Sequence, residues 1–249
     1  MRVALCLRGA VAKKGKDFQG IGELYHDRPY IKFTEVAKSI QKHIVSINPQ
    51  YRFDFFIHCW NQELEEALVD LYKPVRYCFE DNTKYTAEIT QLTDKTNYSQ
   101  ASQALAIQKV IMLKEDYESD HKMHYDMVVL YRPDVLLWKD MPLANYAINT
   151  DVVHVNAHPN CNGDFHFVMS NEIATEFKGL YDSIKSGNKC RVHDWIKRYV
   201  VDWMHKQIVT DDIVPGRDQE VVRKIMQCCS PSIKHQLLKD YDFQMDDFT

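Results

Sequence analysis

The chain lacks most of the signatures that announce common ligand chemistries. Its seven cysteines form no C-x-x-C pair, which argues against a zinc cluster built on cysteine pairs. No G-x-x-x-x-G-K-[ST] occurs, so P-loop phosphate chemistry has no support. Glycine is scarce, with eight residues. Gly20 and Gly22 have neither the preceding strand nor the third glycine of a dinucleotide fingerprint. No apolar run approaches the roughly 18 residues of a membrane span. The opening run, Val3 to Leu7, is closed by Arg8 and is too short for a signal peptide. Positive charge is not in excess: 31 Lys and Arg stand against 35 Asp and Glu, a net charge of -4. That balance excludes a strongly basic nucleic-acid or anionic-membrane surface.

What remains is a chain of 249 residues with 45% hydrophobic content, enough for a single α/β domain. The cysteine number is odd, and Cys6, Cys59 and Cys78 sit in apolar, strand-like runs. Reduced, buried thiols in a cytoplasmic protein are the expectation. Strand patterns at Val3 to Leu7, Arg52 to Cys59, Val75 to Phe79 and Tyr125 to Tyr131 alternate with helical spacing. The helices fall at Phe33 to Ile47, Gln62 to Tyr72 and Ser99 to Tyr117. This order predicts a three-layer α/β/α, mostly parallel sheet. Two short strands follow, Val152 to Val155 and Phe165 to Met169, and then helices at Glu172 to Ile184, Val192 to His205 and Asp218 to Cys228. Thr83 to Tyr98 reads as polar and mobile, and the acidic tail after Lys239 as loosely held. One domain over 1–249 is expected, with a first half over 1–131 and a helical C-terminal part over 132–249.

The most informative stretch is Tyr125 to Lys139. An apolar strand ends at Tyr131 and delivers Arg132 and Asp134 across Pro133. Proline cannot donate to a sheet ladder, so the strand must stop or kink there. Ligands of open α/β sheets bind at the carboxyl ends of the strands. One charge of each sign at that end suits a phosphate-bearing ligand held with a metal ion.

Other motifs gather at the same ends. Leu7-Arg8-Gly9 closes the first strand, where a glycine lets backbone approach a ligand and an arginine can meet phosphate. The plainer reading is a strand end with a solvated arginine. Ile57 to Asn61 closes the second strand, with His58 and Trp60 placed to wall a base or sugar or simply to pack under a helix. Ser99, Ser102 and Gln103 open the long helix, Ser99 as its N-cap. His154, His158, Cys161 and His166 match no compact zinc spacing. They read better as a polar loop in which Asp164 is either a general base or a turn-closing residue.

Taken in order, Leu-Arg-Gly, Phe-Phe-Ile-His-Cys-Trp-Asn, Ser-Gln-Ala-Ser-Gln-Ala-Leu-Ala-Ile-Gln-Lys, Tyr-Asp-Met-Val-Val-Leu-Tyr-Arg-Pro-Asp and Gly-Asp-Phe-His-Phe-Val-Met-Ser form a set. Over roughly Arg2 to Ser170 the set resembles small nucleotide-sugar glycosyltransferases of the GT-A type. The likeness is greatest to those with which large DNA viruses of algae and protists build capsid glycans. Related bacterial polysaccharide enzymes share the strand-Arg-x-Asp element.

The resemblance implies a nucleoside-diphosphate sugar, UDP-xylose among the options, over the first half of the sheet, and a glycan acceptor. Leu7, Arg8 and Gly9 would contact the nucleotide, with Ser99 and Gln103 in support. Arg132 and Asp134 would bind the diphosphate, Asp134 through Mn²⁺ or Mg²⁺. The family's Asp-x-Asp stands here as Arg132-Pro133-Asp134, so only one carboxylate is present. Asp164 would serve as base in an inverting transfer, and His158, Asn162, His166 and Trp60 would line the acceptor side. A non-catalytic sugar-nucleotide-binding protein and a sulfotransferase are the competing readings. The missing phosphosulfate loop counts against the second.

Overall fold

The computed structural model describes residues 1–11, 29–92, 98–157, 163–186 and 196–244, together with Asp247. Nine strands are described: β1 Arg2–Gly9, β2 Arg52–Cys59, β3 Arg76–Phe79, β4 Met127–Tyr131, β5 Val135–Leu137, β6 Val152–Val155, β7 His166–Ser170, β8 Gln207–Thr210 and β9 Gln219–Val221. Seven of them form one sheet in the order β3-β2-β1-β4-β7-β6-β8. Within it, β7 runs antiparallel to both neighbours and all other pairs are parallel. The fold is therefore α/β with a mixed, mostly parallel sheet.

Alternation along the strands builds a core on each face. Val3, Leu5 and Leu7 of β1 point to one side with Val129 and Tyr131 of β4. There they meet α1 Phe33–Ile40, which runs on as a wider turn to Val45, and α2 Glu65–Tyr72. Ala4 and Cys6 point to the other side with Phe56, Val128, Leu130 and Phe167. That side is covered by α4 Tyr98–His121, α5 Asn171–Phe177 and α6 Leu180–Lys185. Strands β1 and β4 are buried throughout most of their length, as near-continuous apolar runs in a covered parallel sheet should be.

Several expectations are corrected. Asn82 to Leu92 is helical, with α3 at Thr86–Leu92, because Asp81 caps the turn by accepting from the Thr83 amide at 2.8 Å. The helix expected from Asp218 begins instead as β9, paired antiparallel to β5 through Val135↔Val221 and Leu137↔Gln219. Only after β9 does the chain turn into the short α7, Ile225–Cys228, followed by α8, Pro231–Asp240. Nor is the tail loose up to Gln244. Tyr241 and Phe243 are buried, the Tyr241 hydroxyl donates to the Leu137 carbonyl at 3.2 Å, and Lys32 pairs with Asp247 at 3.0 Å. Among the described residues no helix is long and apolar enough to cross a membrane.

Candidate functional site

Parallel strands put their carboxyl ends on one edge, and the register fixes which side chains share it. Arg8 pairs with His58, and His58 with Cys78, across β1, β2 and β3. Leu7 pairs with Tyr131, so one further step along β1 and β4 sets Arg8 beside Arg132. Residues in one register row of a parallel sheet point to the same face. Arg132, Arg8, His58 and Cys78 thus form a polar row on the side covered by α4.

Arg8 is the unusual member. It is 2% exposed, and among the described residues its one side-chain hydrogen bond runs to a neutral group, the Asp164 carbonyl. Its Nε is buried with no partner. It lies over the Phe167 ring at 5.5 Å and makes no ion pair with any described residue. Burial, and then the charge of Arg132, push its pKa down to about 9. A guanidinium keeps its charge at neutral pH regardless; Asp164 and Asp134 favour that charge, but burial and Arg132 outweigh them.

Arg132 is the opposite case. Its amide still donates to the Phe165 carbonyl at 3.2 Å, then Pro133 breaks the ladder and the chain turns back. That turn brings Asp134 under the guanidinium, which grips it with Nε to Oδ1 at 2.9 Å and Nη2 to Oδ2 at 2.8 Å. Nη1 lies 3.5 Å from Asp164 Oδ2. Burial works against the charge, but Asp134 and Asp164 outweigh it and hold the Arg132 pKa above its ordinary value.

Asp164 is placed by its loop. Phe165 donates its amide to Asn156 Oδ1 at 2.9 Å. A Cβ on Gly163 would fall 2.2 Å from Asn156, so no side chain fits there. Gln103, from the first turns of α4, donates to Asp164 Oδ2 at 3.1 Å. Arg8, Gln103, Arg132, Asp134 and Asp164 are therefore brought together at this edge.

Other nominated residues fall elsewhere. The Leu7 side chain is fully buried on the opposite face, leaving only its backbone near the edge. Gly9 adopts φ +107°, a turn only glycine makes without strain, and its carbonyl accepts from Trp60 N. Ser99 lies inside α4 and is exposed, so it is not the cap; Ser102 is the buried serine, accepting from Asn82 at 3.0 Å. His166 is fully buried, stacked on Tyr131 and bonded to Asp211 at 2.6 Å, which removes it from direct contact with an acceptor. Trp60 is partly exposed, edge-on to His58 at 4.3 Å and tilted to Tyr85 at 5.7 Å. His158 and Asn162 lie outside the described residues.

A cluster that sequence reasoning missed joins this edge. Glu80, directly after β3, accepts from Lys109 at 2.8 Å and Tyr85 at 2.8 Å, and bonds His58 at 3.0 Å. Burial alone would raise its pKa, but these three partners hold it down at about 2. The available signal was position: Glu80 directly follows its strand, and His58 is the last residue but one of the neighbouring strand.

The residues around Asp134 do not fit a hard divalent cation. Such ions need several free oxygens, and both Asp134 oxygens are already taken by Arg132. Among the described residues, the one group of three side chains spaced for a metal lies elsewhere, at His58, Cys78 and Glu80. Compared with known proteins, the chain matches no family model and no curated protein sequence.

Chemically, the edge offers two guanidiniums for an anion, one carboxylate at their margin and an aromatic wall. If the Arg132–Asp134 fork is structural, Asp134→Ala should lower unfolding free energy by about 3 kcal/mol, because it leaves a largely buried charge without its partner. Replacing both, Arg132→Met with Asp134→Leu, should recover most of that loss. Urea unfolding of the two variants measures it.

Proposed function

We propose that the protein is a GT-A-type glycosyltransferase that moves a sugar from a nucleoside diphosphate, UDP being the first choice, to a hydroxyl of a glycan. The observation that carries this reading is Arg8. Among the described residues Arg8 makes no ion pair, although Asp164 and Asp134 act on its charge, and a buried guanidinium so placed is costly unless an anion completes it. A diphosphate at the sheet edge supplies that anion, and the ordered series of sequence motifs gives the nucleotide and sugar.

In this mechanism the acceptor oxygen forms a bond to the anomeric carbon while the bond from that carbon to the phosphate oxygen breaks. The hydroxyl proton passes to Asp164. The leaving diphosphate gains negative charge, and fixed cations aimed at it lower the barrier. Arg8 is free to take this charge at once. Arg132 takes it by exchanging part of its grip on Asp134 and Asp164. That exchange also frees Asp164, which a guanidinium neighbour otherwise makes a weaker base. No step needs a divalent cation at Asp134. Trp60 and Tyr85 offer the ring faces for the base or the sugar.

One observation favours a second reading, a sugar-nucleotide-binding protein without transferase activity. Asp164 is tied to Gln103 and Arg132, as a purely structural carboxylate would be.

UDP should stabilise the fold, by about 1.4 kcal/mol at ten times its dissociation constant. Arg8→Met should abolish that shift while leaving the unliganded protein no less stable, since a buried charge is removed. A destabilised Arg8→Met that still responds normally to UDP would contradict the proposal. Asp164→Asn should keep UDP binding and lower sugar transfer by roughly 10²–10⁴-fold. Donor binding with no transfer to any glycan by the wild type would leave the second reading standing.

A further inference from the structure

One row of the sheet edge carries a donor set of a different kind from the arginines. His58 closes β2, its register partner Cys78 lies on β3, and Glu80 follows two residues later. One ligand atom from each of the three lies within 4.8 Å of the other two. Two of the three side chains are held by regular strand backbone, so the nitrogen and the sulfur are positioned before any ion arrives. His58 bonds Glu80 through Nε2 at 3.0 Å, while its Nδ1 is buried and bonded to nothing among the described residues.

The three donor types decide which ion fits. Zn²⁺ accepts imidazole nitrogen and carboxylate oxygen at about 2.0–2.2 Å and thiolate sulfur at about 2.3 Å. Tetrahedral bonds of those lengths separate neighbouring ligand atoms by roughly 3.2–3.8 Å. The observed spacing reaches that range with small side-chain rotations. Mg²⁺, Ca²⁺ and Mn²⁺ prefer all-oxygen sets and have little use for a thiolate.

We propose that His58, Cys78 and Glu80 form a binding site for a borderline-soft divalent cation, Zn²⁺ above all, with a fourth coordination position left open. On binding, the Cys78 thiol releases its proton to solvent. Thiolate and carboxylate then balance the two charges of the ion, and His58 stays neutral. Lys109 now does part of this work: its ammonium sits 2.8 Å from Glu80 and 2.7 Å from the Tyr85 hydroxyl. Its side chain is 25% exposed, so it can give up Glu80 for water and Tyr85 when an ion enters. This site is independent of the glycosyl-transfer reading, because it uses neither Arg8 nor Asp164.

The test uses the full chain, stripped with EDTA and titrated with Co²⁺ as a spectroscopic stand-in for zinc. Wild type should develop the near-ultraviolet sulfur-to-cobalt charge-transfer band and the intense visible bands of tetrahedral Co²⁺. Zn²⁺ should bleach both, and excess Mg²⁺ should not. Cys78→Ser, a near-isosteric change at a partly exposed position, should lose the charge-transfer band while keeping the wild-type unfolding midpoint in EDTA. Lys109→Met removes the competing cation and should tighten Co²⁺ binding by about tenfold or more. The proposal is overturned if wild type shows no charge-transfer band, if the band survives in Cys78→Ser, or if Lys109→Met leaves Co²⁺ affinity unchanged.

Discussion

A buried guanidinium that makes no ion pair among the described residues is the constraint on which the candidate site turns. Arg8 is held at the end of the second-most central kind of position a sheet offers, a parallel strand flanked on both sides by parallel neighbours. Its charge cannot escape to water, and its one bond goes to a backbone carbonyl. Proteins seldom leave such a group uncompensated. The nearby carboxylates, Asp134 and Asp164, pair with Arg132 and act on Arg8 without forming an ion pair with it. Two cations and two anions thus share one edge, and among the described residues the cation that makes no ion pair is the more deeply buried one. An anionic ligand at Arg8 evens the distribution.

The surrounding structure serves to keep that arrangement in place. Pro133 ends β4 at the point where Arg132 must turn out, and the turn returns Asp134 to meet it. The Asp134 carbonyl accepts from Val222 at 3.0 Å, tying the turn to the end of β9. Gly163 pressed against Asn156 fixes the loop that carries Asp164. Gln103 reaches the same carboxylate from α4, so sheet, turn, loop and helix all converge on it. On the other side of Arg8, His58 links the row to Glu80, Lys109 and Tyr85. Cationic and metal-ligating chemistry therefore lie on adjacent strands of one edge.

The sequence made the first half of the sheet legible because its strands are buried on both faces. Arg52–Cys59 and Val152–Val155 have the expected bounds, and the strand ending at Tyr131 delivers Arg132 and Asp134 as its pattern implies. The contact between Gln103 and Asp164 was not foreseen from the sequence. Apart from Asn82 to Leu92, where the Asp81 cap is local, the failures share a physical cause: each depended on a partner distant in sequence. Gln219-Glu220-Val221 looks like the first turn of a helix until Val135-Leu136-Leu137 offers it a ladder. The acidic tail looks solvated until Tyr241 and Phe243 find a pocket against the β5 region and α1. His166 reads as an exposed ligand residue, yet Tyr131 and Asp211 enclose it. Glu80 and Lys109 lie 29 residues apart; Lys109 closes the long-helix motif, but nothing in the sequence links it to Glu80.

The central claim is that fixed arginines, with no divalent cation at Asp134, neutralise a bound diphosphate. The most direct measurement is a calorimetric titration of UDP into wild-type protein in EDTA, repeated with added Mn²⁺. The account requires binding in EDTA, with an affinity that Mn²⁺ leaves essentially unchanged. Binding that vanishes in EDTA and returns with Mn²⁺ would contradict it, because the charge assigned to Arg8 and Arg132 would then belong to a metal ion.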